Sequence, residues 1–170
     1  MKKTHHFALL FAVAMLSACQ GDVRPAAEAA SKENRQVINN WLDQWHRDAA
    51  AADKAFFKKM SADGIYIGTD KTEHWTRPEF KNWCRPYFDL GKAWDFKVIE
   101  RNLYLGEDGR HAWFDELLDT WMGTCRASGV LVRNSEDWKI VHYHLSVTVP
   151  NDTMSGFIEM VQAYEKSHEG

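Results

Sequence analysis

The sequence predicts an α+β domain in which helices cover one face of an antiparallel sheet, and three observations carry that expectation. Apolar residues recur at helical spacing through the first half, in residues 31–45 and again around 53–60. The second half holds four β-rich runs, residues 94–105, 111–121, 125–133 and 138–149, and the short polar turns between them imply antiparallel neighbours. A closing segment, residues 152–168, returns to helical spacing at Met154, Phe157, Ile158, Val161 and Tyr164.

Each element has local support. Ser31 is a plausible N-cap for a first helix whose stripe is Val37, Ile38, Trp41, Leu42 and Trp45. A short second helix presents Phe56 and Phe57, and the turn at 61–64 stops it before a short strand at 65–68. Thr76-Arg77-Pro78-Glu79 combines capping-box spacing with an early proline, so a third helix should run to about Leu90, where Gly91 can end it. The four strands and the last helix follow.

Composition narrows the function classes. A chain of 170 residues, 45% hydrophobic and 26% charged, fits one compact domain. The net charge of -3 and the absence of a basic stripe argue against nucleic acid as a partner. Three cysteines without a CxxC pair exclude a structural zinc site of the usual spacing.

The amino terminus reads MKKTHHFALLFAVAMLSAC: basic Lys2 and Lys3, an apolar run from Phe7 to Leu16, then small residues before a cysteine. That pattern is a secretory signal peptide, and its apolar run is well short of the roughly 20 residues a membrane-spanning helix needs. Leu16-Ser17-Ala18-Cys19 resembles the bacterial lipobox, which implies cleavage after residue 18 and acylation of Cys19. Acyl chains would hold the protein to a membrane surface, each buried methylene contributing about 0.8 kcal/mol. Gln20 in the next position, by resemblance to Gram-negative lipoproteins, favours the periplasmic face of the outer membrane. The other reading is an ordinary signal peptide followed by an incidental cysteine. Residues 19–30, with Gly21, Pro25 and several alanines, read as the lipidated cysteine and a flexible tether, leaving residues 31–168 as the folded domain. In an oxidising compartment the two remaining cysteines, Cys84 and Cys125, form a candidate disulfide; two buried free thiols are the alternative.

The segments Gly68-Thr69-Asp70 and Glu73-His74-Trp75, then Ala112-Trp113-Phe114-Asp115-Glu116, Ser128-Gly129-Val130-Leu131 and the run from Trp138 to Ser146, stand in an order that resembles the SnoaL-like branch of the nuclear-transport-factor-2-like superfamily. The resemblance covers residues 31–150. It implies a cone of helices wrapped by a strongly curved sheet, the cystatin-like arrangement, with a pocket at the open end and frequent homodimers. Members include ketosteroid isomerase, scytalone dehydratase, polyketide cyclases and the association domain of calmodulin-dependent kinase II, so fold alone leaves function open.

Candidate site residues follow from strand alternation and from the family pattern. On the last strand Val141, Tyr143, Leu145 and Val147 are the more apolar set and should face the interior, which places His142 and His144 together outside. Those two histidines are a weak metal candidate at i, i+2 spacing; the alternative is a sheet exterior or dimer interface. Alignment with the family pattern puts Asp115 inward, where desolvation would raise its pKa and fit it for general acid/base work, with Tyr143 or His74 as hydrogen-bond donor. The alternative is an ion pair with Arg126 or Arg133. Glu116, one residue on, should then point outward. By the family resemblance His74 could transfer a proton and Trp75 could act as a lid near the pocket mouth, or plug the base of the next helix; Asp70 and Glu73 read first as caps of that helix. Tyr66, Trp75, Trp113 and Leu145 should line the pocket. Eight tryptophans suit a flat apolar or aromatic ligand, although Trp41, Trp45 and Trp138 belong to the core. Neither a GxGxxG nor a P-loop is present, so chemistry at this site would be cofactor-free proton transfer. The expected function is a membrane-tethered small-molecule binding module; the alternatives are an isomerase, dehydratase or cyclase using Asp115, and a dimeric assembly domain.

Overall fold

The computed structural model describes residues 23–135 and 137–168. The signal peptide, Cys19 and the start of the tether expected from the sequence lie outside the described residues.

The first helix, α1 (Val23–Ala50), begins eight residues ahead of Ser31. Residues 23–30 are therefore helical backbone where an irregular spacer was expected. Alanine has the highest helix propensity, and Pro25 falls in the first turn, where its missing N–H leaves no bond unmade. Ile38, Leu42, Trp45 and Ala49 form its buried stripe. The four-residue α2 (Ala55–Lys58) inserts Phe56 and Phe57 beneath it. In α3 (Arg77–Asp89) the expected capping box is present: Glu79 accepts from the Thr76 backbone N–H at 2.8 Å and from its hydroxyl at 2.7 Å. Phe80, Cys84 and Phe88 then recur every four residues on the buried face.

Six strands, β1 (Met60–Ile67), β2 (His74–Thr76), β3 (Lys97–Leu105), β4 (His111–Thr120), β5 (Gly123–Asn134) and β6 (Asp137–Val147), form one sheet in the order β2-β1-β6-β5-β4-β3. The sheet is mixed, not wholly antiparallel as expected: β1 and β6 run parallel. The four-strand meander ends with β6 pointing the same way as β1, and α3 with β2 supplies part of the long connection that a parallel pair needs. After a 3-10 turn (Asn151–Thr153), α4 (Met154–His168) closes the described chain and buries none of its residues.

The inner sheet face packs on α1, α2 and α3. Ala112, Phe114, Glu116 and Leu118 of β4 point inward, as do Cys125, Ala127 and Leu131 of β5. Gly129 is required beside Phe114, since a β-carbon there would come within 2.6 Å of the ring. On β6 the inward phase changes. Val130 pairs with His142 and Leu131 with Ile140, which leaves Val141 in a bulge. Trp138 and Ile140 precede that bulge and Tyr143 and Leu145 follow it on the inner face, whereas Val141 and Val147 do not belong to the core. Trp45 stacks on Phe56 at 4.9 Å and meets Tyr143 edge-on at 4.8 Å, at the centre of the helix-sheet interface.

Cys84 and Cys125 are both buried free thiols, so the candidate disulfide is not formed. Cys84 belongs to the α3 stripe, and Cys125 packs inside β5 with its sulfur 3.5 Å from the Thr120 hydroxyl. Each fills space as a small apolar side chain. Burial raises the Cys84 pKa well above the ordinary thiol range, which keeps it protonated and inert.

Candidate functional site

A pocket of about 250 Å³ opens where β1, β2 and β6 meet α3. Its floor is Tyr66 on β1, stacked 3.8 Å from Phe80 of α3, with Leu145 of β6 beside them. Residues 80, 83 and 87 share one face of α3, so Trp83 and Tyr87 continue the wall outward from Phe80. Trp83 is 40% exposed and Tyr87 45%, as befits a rim. Trp75 on β2 faces Trp83 at 4.8 Å. Trp94 and Phe96, just before β3, and Trp121 with Met122, in the turn after β4, complete the enclosure.

The polar lining comes from the turn joining β1 to β2. Gly68 donates its backbone N–H to the Glu73 carbonyl at 2.9 Å, Glu73 donates to the Asp70 carbonyl at 2.9 Å, and the Glu73 carboxylate accepts from the Asp70 N–H at 3.2 Å. That carboxylate lies directly over Gly68, where any β-carbon would collide with it. Glu73 thereby joins Gly68 and Thr69 in the pocket wall. Tyr66 is buried, and burial first, then the neighbouring Cys84 and Glu73, push its hydroxyl far above the usual phenol value. It is a neutral hydrogen-bonding group throughout the physiological range.

Of the residues expected at the pocket, Tyr66, Trp75 and Leu145 line it. Trp113 does not. It is 48% exposed on the outer sheet face, stacked on Tyr104 at 5.8 Å.

Asp115 shares that outer face, which corrects the expected inward position. Its carboxylate accepts from Arg126 at 2.7 Å and from Asn102 at 3.3 Å, the ion-pair alternative raised above. Strand alternation is the reason: Phe114 and Glu116 take the inner positions, so the residue between them must face out.

Tyr143 is buried behind the pocket without lining it, and its hydroxyl has no hydrogen-bond partner among the described residues. His74 is exposed on β2, where alternation turns it away from Trp75. Asp115, Tyr143 and His74 therefore do not converge on one reacting atom.

His142 and His144 point outward as expected, His144 lying 3.2 Å from the Ser146 hydroxyl. No group of three metal-ligating side chains occurs among the described residues. Asp70 caps its own turn, accepting from the Thr72 N–H at 2.8 Å.

Sequence reasoning missed the most buried charge. Glu116 is 0% exposed on β4, accepting from His46 of α1 at 2.8 Å and from Arg101 of β3 at 2.8 Å. Arg101 also donates to Asp43 at 2.7 Å and to the Asn39 carbonyl at 3.2 Å. Burial by itself would raise the Glu116 pKa; the hydrogen bonds and charges of His46 and Arg101 more than offset it and leave the carboxyl below its ordinary value. None of these residues lines the pocket. A signal was present in Ala112, Phe114 and Leu118, which make the phase containing Glu116 the more apolar one. The aromatic repeat Phe80, Trp83, Tyr87 likewise announced a ring-bearing face on α3.

No sequence among curated proteins matches the chain. Solved structures share its fold at low identity. An NTF2-like protein from Pseudomonas putida KT2440 is 16% identical, with a TM-score of 0.56 over 74% of this chain and 92% of that one. The association domain of CaMKII from C. elegans is 16% identical, with a TM-score of 0.58 over 69% of this chain and 98% of that one. A candidate ketosteroid isomerase from Parabacteroides distasonis ATCC 8503 is 20% identical, with a TM-score of 0.51 over 64% of this chain and 86% of that one. A family model described as a SnoaL-like domain spans residues 38–150, from the buried stripe of α1 through the end of β6, and the chain belongs to that SnoaL-like family.

Proposed function

We propose that this chain is a membrane-tethered SnoaL-like domain that binds a small, flat, largely apolar molecule in the pocket between β1, β2, β6 and α3. The observation that carries the reading is the lining: eight of its thirteen described residues are aromatic, and the wall opens to solvent past Trp83 and Tyr87. Binding is favoured over turnover because the Asp115 carboxylate lies on the other side of the sheet, held by Arg126. Titrating the full chain with one- and two-ring aromatic compounds should quench tryptophan fluorescence saturably. Tyr143→Phe should leave that affinity unchanged, and Trp83→Ala should weaken it about tenfold or more. A flat titration across the series would remove the reading.

Tethering rests on the sequence pattern at residues 1–19. The protein is expected in the membrane fraction, on the periplasmic face of the outer membrane, with Cys19→Ser releasing it to the soluble periplasm. Persistence of that variant in washed membranes would sink the lipid anchor.

A homodimer is a second reading that the outer sheet face favours. Tyr104, Trp113 and Val130 are all exposed there and pair across β3, β4 and β5. Exposed apolar surface of this kind marks a contact site. One similar fold is an association domain by name.

A further inference from the structure

The pocket reading names a shape and polarity; the charge of its occupant follows from the pattern of groups around it. Aromatic rings present the negative face of their quadrupole to whatever they enclose, and a cation within about 6 Å of a ring centroid is attracted by it. Here the rings are mutually tilted, Trp75 by 35° to Trp83 and Trp83 by 45° to Trp94, so they enclose a volume from several directions. Trp94 is tilted 34° to Phe96, which extends the same wall.

The charged component agrees in sign. Among the described residues the lining includes no lysine, arginine or histidine, and its one formally charged residue is Glu73. Glu73 is also held in place. Its backbone is fixed by two turn hydrogen bonds, and its carboxylate rests over Gly68, the one residue type that leaves room for it there. Beneath it Tyr66 stays an uncharged phenol and adds a ring.

We propose that the pocket selects an organic cation: a compact flat or branched apolar body carrying a quaternary or tertiary ammonium, its alkyl groups against Trp75, Trp83 and Trp94 and its charge compensated by Glu73. Ring faces and the carboxylate attract such a ligand together. Both disfavour an anion of the same size, and a neutral isostere gains only the apolar contacts.

The inference rests on the pocket reading, and three probes of matched shape separate the two. Phenyltrimethylammonium, its neutral isostere tert-butylbenzene and the anion benzenesulfonate are titrated into the purified full chain, followed by tryptophan fluorescence and calorimetry. The cation is expected to bind at least about tenfold tighter than the isostere, with the anion weakest. Glu73→Gln should lower affinity for the cation about three- to tenfold and leave the isostere unchanged, and Trp83→Leu should weaken the cation more than the isostere. Near-ultraviolet circular dichroism confirms that each variant is folded. Equal or tighter binding of the isostere or the anion overturns charge selection while the pocket stands. An unchanged cation affinity in folded Glu73→Gln overturns it as well. If none of the three binds, the pocket reading itself fails and takes the inference with it.

Discussion

The carboxylate of Glu116 sits in the interior between His46 and Arg101, where each of its oxygens accepts a bond at 2.8 Å. Removing one member of such a buried set leaves the other charges without compensation, which costs about 3–5 kcal/mol. Glu116→Gln should therefore lower the free energy of urea unfolding by that amount at pH 7. Asp115→Asn, which breaks a half-exposed pair with Arg126, should cost no more than about 1 kcal/mol. The two variants differ by one position and a factor of several in effect; similar losses would contradict the inner and outer assignment. The pH dependence has a definite sign. Because the folded-state pKa of Glu116 is depressed, its contribution is complete above the unfolded carboxyl value of about 4.3 and is lost as pH falls through the lower folded value. Wild type should weaken more steeply than Glu116→Gln below about pH 4. At this scale the sequence was ambiguous for a physical reason. Each phase of β4 carries an acid, and only contacts from α1 and β3, 70 and 15 residues away, decide which acid can be satisfied inside.

Elements were the most legible level, since capping and periodicity are local. The α3 start at the Thr76–Glu79 box and the four strands of the meander lie within a few residues of their expected bounds. Departures occur where a partner decides. The three-residue β2 exists because it pairs with Ile65, Tyr66 and Ile67, and nothing inside His74–Thr76 announces a strand. The bulge at Val141 similarly depends on how β5 runs past it, and it exchanges Val141 for Ile140 in the core. Beside that bulge Val130 joins Tyr104 and Trp113 on an outer face more apolar than a solvated sheet requires. Trp113→Glu places a charge in the middle of this face. In size-exclusion chromatography with light scattering, wild type should elute at twice the mass of the variant, with the pocket's ligand affinity unchanged. A monomeric wild type would leave the face without a homotypic role.

For the molecule as a whole, the α+β architecture was readable from the order of periodicities, and the pocket's general place from the family resemblance. Its composition was not. The lining is drawn from β1, β2, α3, the segment before β3, the turn after β4, and β6, and their convergence exists only in the assembled sheet. Leu145 was identifiable from the alternation of its strand, and Trp75 from the family resemblance, which sets its segment near the pocket mouth. Trp94, Phe96 and Trp121 fell inside the expected β-rich runs but lie just beyond the ends of β3 and β4, where strand alternation no longer decides which way a side chain faces.

The parallel pairing of β1 with β6 sets the order in which this chain can assemble. Every other ladder joins strands adjacent in sequence, β1 with β2 and β3 through β6 in a meander, and those can form early from local chain. The β1–β6 seam instead brings Met60 to Ile140 and Tyr66 to Tyr143, a loop closure across some eighty residues that must be completed against chain entropy. The pocket straddles that seam, with Tyr66 and Trp75 on one side and Leu145 on the other. In refolding followed by pulsed hydrogen exchange, amides of β4 and β5 should be protected before those of β1, and pocket fluorescence should develop with the later phase. A ligand that fits across the seam should then slow unfolding and leave the refolding rate almost untouched, because it has no site until the last ladder closes.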